Sequence, residues 1–209
     1  MELITVPLGQ LQANAYLVLE GREVVVVDPG GEGAALAAAL SERGLELKAV
    51  WLTHAHFDHV GGLAALRRSV PGVSVHMHAA DEPLLRMAAA AAARWGIEIE
   101  QPPTDYVAVA HGETLTAGGI TAVALHAPGH APGHLAFHFP GSGAVLSGDA
   151  LFAGSIGRTD LPLCDHEQLV AGIRRELLSL PPTTRVYPGH GGPTTVGRVG
   201  AEATGNPFL

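Results

Sequence analysis

Among 209 residues there is one cysteine, Cys164, so no disulfide can form within the chain, which fits a reducing cytosol. Lysine is nearly absent: one of the twelve basic residues is Lys48 and the rest are arginines. These cations are scattered, the net charge is -8, and no basic stripe exists to track a phosphate backbone, so nucleic acid is a poor partner. The N-terminus Met1-Glu2-Leu3-Ile4 has no basic region ahead of an apolar core, so no secretory signal is expected. The longest alanine-rich apolar run, 87–93, is far too short to span a bilayer. A cytoplasmic protein with no membrane partner is the expectation. A chain that is 47% hydrophobic can bury a sizeable core.

Histidine, by contrast, is concentrated. Thr53-His54-Ala55-His56-Phe57-Asp58-His59 follows the apolar run 49–52. Each imidazole has two ring nitrogens that need partners, so three in one core would leave several unsatisfied. The pattern reads as metal ligands on a loop at the end of a buried strand. Imidazole nitrogen and carboxylate oxygen suit zinc, iron or manganese. Further ligand candidates stand at strand ends or tight turns: His130 in Ala127-Pro128-Gly129-His130-Ala131-Pro132-Gly133-His134, Asp149 in Ser147-Gly148-Asp149, and His190 after Pro188-Gly189. Singly, each has a plainer explanation as a turn or cap residue. Together they supply five histidines and two aspartates, the inventory for two ions.

The order of elements frames this set. Runs at 3–6, 15–19 and 24–27 predict consecutive strands, and 32–44 a helix ending at Gly44. Strand 49–52, helix 63–69, strand 73–77 and helix 81–95 follow, the alternation of an α/β layer. Gln101-Pro102-Pro103-Thr104 marks a waist. Beyond it strands are predicted at 114–117, 120–125, 135–139 and 144–146. A helix over 165–178 with Asp165 as N-cap and a strand at 185–187 complete the chain. Neither half carries enough ligands to close a metal site alone, so one domain over residues 1–209 is expected, with the site at the junction.

The ordered set His-x-His-x-Asp-His, a distant His, a Gly-Asp and a Pro-Gly-His resembles the metallo-β-lactamase superfamily over nearly the whole chain. The resemblance implies a four-layer αββα sandwich of two mixed β-sheets with outer helices. It implies two divalent ions (zinc, iron or manganese): one on His54, His56 and His130, the other on Asp58, His59 and His190, with Asp149 bridging. Within that superfamily the Ala127–His134 loop and the Asp149–Pro162 stretch are similar to the glyoxalase II thioesterases. True β-lactamases of the superfamily generally lack an aspartate at the place of Asp149. Full-length glyoxalase II enzymes carry a further C-terminal helical region for which this chain has no room, so a short, single-domain type is expected.

The function so implied is hydrolysis of a small-molecule thioester, such as S-lactoylglutathione or a related acyl-thiol, by a metal-bridging hydroxide. Asp58 would orient that hydroxide or take a proton. Arg158 is a candidate for meeting an anionic substrate, with a surface pairing to Asp160 as the alternative. Asp28 and His134 are candidates for supporting the ligands from behind. A persulfide dioxygenase with one iron on His54, His130 and Asp149, a lactonase or other esterase, and a non-catalytic metal-binding domain are the alternatives. Cys164 and the remaining histidines match no ligand position, and oligomeric state is not encoded in any motif.

Overall fold

A computed structural model describes residues 1–198 and 208–209. The chain divides into two compact units, one of residues 1–109 and 116–121, the other of 110–115 and 122–209.

The first unit is built on a six-stranded mixed sheet. Its strands are β1 (Glu2–Leu8), β2 (Ala13–Glu20), β3 (Glu23–Val27), β4 (Glu46–Trp51), β5 (Ser74–Met77) and β6 (Val107–Ala108), side by side in chain order. β1, β2 and β3 run antiparallel through tight turns, whereas β3 to β6 are parallel. Parallel neighbours need crossovers, and these are helices α1 (Gly33–Glu42), α2 (Phe57–Val60) with α3 (Leu63–Ser69), and α4 (Glu82–Arg94). Covered strands read as continuous apolar runs, and Val24 to Val27 of β3 are fully buried. Leu36 and Leu40 of α1, Leu63 and Leu66 of α3 and Leu85 of α4 belong to the same core cluster. The parallel stretch fixes where chemistry can sit. β3, β4 and β5 end together, delivering Asp28, the histidine loop and the 78–81 turn at one edge.

The second sheet is also six-stranded and mixed. It contains β7 (Thr114–Ala117), β8 (Ile120–His126), β9 (Leu135–Phe139), β10 (Ala144–Gly148), β13 (Arg185–Pro188) and β14 (Thr194–Thr195). A two-stranded hairpin of β11 (Leu151–Phe152) and β12 (Ser155–Ile156) follows β10. β8 and β10 are each antiparallel to β9, and β13 is parallel to β10. The C-terminal ends of β8, β10 and β13 therefore share one sheet edge, the edge that carries His130, Asp149 and His190. Helix α5 (His166–Gly172) packs Leu169 into the core of this unit.

Two mixed sheets with helices match the expected α/β class. The differences are local. The helix expected over 165–178 is α-helical only to Gly172 and widens into a π turn over Ile173–Leu177, where the Leu178 amide reaches Ile173 five residues back. β6, β11, β12 and β14 have two residues each, too few for any periodicity to register. Among the described residues no helix is long and apolar enough to cross a membrane.

Candidate metal centre

In the first unit the ligand loop hangs from buried carboxylates. Asp28 follows β3 in a left-handed conformation (φ 52°) that non-glycine residues rarely adopt. Its Oδ1 accepts the Thr53 amide at 2.7 Å, and its Oδ2 accepts the Thr53 hydroxyl at 2.6 Å. The same Oδ2 lies 3.0 Å from His59 Nδ1, which donates to it. Asp81, beyond β5, accepts the Ala55 amide at 2.9 Å and is fully buried. With Nδ1 of His59 committed, its Nε2 is left for a metal, and it stands 3.8 Å from Asp58 Oδ2. The rings of His54 and His59 have centroids 4.1 Å apart, and those of His54 and His56 4.8 Å. Asp28, His54 and His59 also lie close enough to suggest a ligand triad. Both oxygens of Asp28 already accept hydrogens, however, so Asp28 is better read as the support of the two histidines.

Glycine makes this approach possible. A Cβ on Gly30 would fall 1.9 Å from the Asp58 carbonyl oxygen, so only glycine lets the 28–31 loop pass beneath α2. Asp58 and Phe57 also wall a cavity of about 530 Å³ with Leu11, Gly31, Ile97 and Ile99. The charged residues lining it are Glu32, Asp58, Glu98 and Glu100, all acidic.

In the second unit, His130, Asp149 and His190 come together. Asp149 Oδ2 is 3.6 Å from His130 Nε2 and 3.7 Å from His190 Nε2. Two ligand atoms about 2.1 Å from one tetrahedral ion would be about 3.4 Å apart, so both pairs have near-ligand spacing. His130 Nδ1 donates to the Arg158 carbonyl oxygen at 2.9 Å, which again leaves Nε2 as the ligand atom. His134 is fully buried, and its Nε2 accepts the Asp149 amide at 3.1 Å, so it holds the backbone of the aspartate. A Cβ on Gly157 would meet the Asp149 carbonyl oxygen at 1.9 Å, another contact that requires glycine.

Arg158 takes the alternative role, the pairing with Asp160, and Cys164, which matches no ligand position, touches the site through the His130 backbone. The Arg158 guanidinium binds both oxygens of Asp160, at 2.7 and 2.8 Å, and holds that carboxyl down at about 2. What Arg158 gives the centre is its backbone carbonyl. Cys164 Sγ donates to the His130 carbonyl oxygen at 3.0 Å, and burial pushes its thiol pKa up, which keeps the donor hydrogen in place. Asp81 and the Arg158 carbonyl carry no signal in the sequence, because their partners Ala55 and His130 lie 26 and 28 residues away, and the contact of Thr53 with Asp28 likewise spans 25. The donor chemistry, the committed Nδ1 atoms and the spacing around Asp149 all fit divalent metal.

A sequence profile described as the Metallo-beta-lactamase superfamily matches residues 8–190. A Bacillus subtilis protein named probable metallo-hydrolase YqgX is 38% identical over 97% of this chain and 95% of its own length. Hydroxyacylglutathione hydrolase GloC of Haemophilus influenzae is 36% identical over 100% of this chain and 98% of its own. Among solved structures, TTHA1623 in a di-iron-bound form superposes with a TM-score of 0.89 at 48% identity, covering 99% of this chain and 100% of that one. BLEG-1, described as a B3 metallo-beta-lactamase, gives 0.89 at 38% identity, covering 100% and 99%.

Proposed function

The chain belongs to the metallo-β-lactamase superfamily, and from that premise we propose that it is a binuclear metal-dependent hydrolase of the glyoxalase II type, acting on an acyl thioester. Asp149 carries the reading. One carboxylate oxygen stands at near-ligand distance from two imidazole nitrogens that enter from different loops, as a bridge between two ions requires. In this proposal His54, His56 and His130 hold one ion, Asp58, His59 and His190 hold the other, and residues 1–209 act as one catalytic domain.

Divalent ions held by these residues would lower the pKa of a bound water to about 7 and polarise a substrate carbonyl oxygen. The chain's residues supply orientation and proton handling. Asp58 is positioned by the Gly30 contact below it and stands beside His59 Nε2, where its carboxylate orients the attacking water and accepts its proton. A thiolate leaves readily, so no strong general acid is required. We assign the acyl end of the substrate to the cavity beside Asp58, whose walls are apolar and whose charged residues are all acidic. An anionic carrier would be repelled there.

The name of the Haemophilus relative supports the thioester class. The likeness to BLEG-1 supports β-lactam ring opening as a second reading. The test is a parallel assay of metal-loaded protein on S-D-lactoylglutathione, uncharged acyl thioesters and a chromogenic β-lactam, with oxygen uptake on glutathione persulfide alongside. Thioester cleavage outpacing the other reactions is the expected result. Oxygen consumption without hydrolysis overturns the reading, and β-lactam turnover alone transfers it to the second.

A further inference from the structure

We propose that Thr53 is the positioning residue that decides which ring nitrogen of His54 is offered to metal. Thr53 is buried, and its hydroxyl oxygen lies 2.6 Å from Asp28 Oδ2 and 3.0 Å from His54 Nδ1. A hydroxyl has one hydrogen to give, while an ionised carboxylate only accepts. The Thr53 hydrogen therefore points to Asp28, and the hydroxyl turns a lone pair toward His54. For that 3.0 Å contact to be a hydrogen bond, Nδ1 of His54 must carry the hydrogen, which leaves Nε2 bare.

The same Asp28 oxygen takes the Nδ1 hydrogen of His59 directly, at 3.0 Å. One buried carboxylate thus sets the tautomers of two histidines, His59 by contact and His54 through the threonine hydroxyl. The Thr53 amide, held by Asp28 Oδ1 at 2.7 Å, keeps the relay in register. Valine at position 53 would keep the shape and remove the relay. Asp28 would lose a donor, and His54 Nδ1 would lose its acceptor.

The assignment of the tautomer stands on hydrogen bonding alone, and its consequence for metal affinity rests on the metal-centre reading above. Long-range 1H–15N correlation on the metal-free full chain at pH 8 reads the protonated nitrogen of each histidine directly. Wild type is expected to show His54 with hydrogen on Nδ1, Thr53→Val to lose that form, and Thr53→Ser to restore it. Chelator competition with zinc on the same proteins should show a roughly 10–100-fold loss of affinity for Thr53→Val and recovery for Thr53→Ser. A wild type with hydrogen on Nε2 of His54 overturns the proposal even if Thr53→Val does not fold. So does a Thr53→Val protein with unchanged tautomer and unchanged affinity. A tautomer that follows the hydroxyl in a protein that binds no zinc supports the proposal and overturns the metal-centre reading instead.

Discussion

At the scale of single residues, the division between legible and illegible follows sequence distance. Histidines at 54, 56 and 59 announce themselves because no packing pattern uses imidazole that densely. Asp28 shows only as a candidate support and Asp81 not at all, since an aspartate after a strand is most often a turn residue and nothing beside Asp81 shows that it accepts an amide 26 positions away. Gly30 is equally silent. Its neighbour in space is the Asp58 carbonyl oxygen, a backbone atom that cannot swing aside. Gly30→Ala should therefore cost about 1–3 kcal/mol of stability and shift α2, so that metal affinity falls with it. Unfolding midpoints and zinc competition on the alanine variant check both. Wild-type values in both assays would mean that the loop has room to move.

At the scale of elements, the long apolar runs were readable and the edges were not. β3 shows as Val24-Val25-Val26-Val27 because a strand covered on both faces needs no polar alternation. The hairpin of β11 and β12 and the π turn after α5 have no such signal, because each depends on its neighbours rather than on its own period. The second sheet also sets a pH response. Burial holds the imidazole of His138, in β9, below its ordinary value. The unfolded chain then takes up that proton before the folded one does. The stabilisation is complete above the unfolded value of about 6.5 and is lost as pH falls through the lower folded value. His138→Gln should flatten the fall in unfolding free energy between pH 7 and pH 5 relative to wild type. Denaturant titrations at the two pH values measure it, and an unchanged slope would assign the acid response to other groups.

At the scale of the whole molecule, each sheet places its ligands at one edge by strand direction. β3, β4 and β5 end together with Asp28, His54–His59 and Asp81, and β8, β10 and β13 end together with His130, Asp149 and His190. Chain order spreads each set over more than 50 positions, and the shared strand direction gathers each set at the edge of its own sheet. The central claim is that the regrouped ligands hold two ions bridged by Asp149. The direct measurement is metal content per chain after equilibration with zinc, iron or manganese, on wild type and Asp149→Ala. The account predicts about two ions per wild-type chain and a loss of at least one in the variant, with thioester cleavage lost alongside. One ion in both proteins, with catalysis retained in the variant, would contradict it.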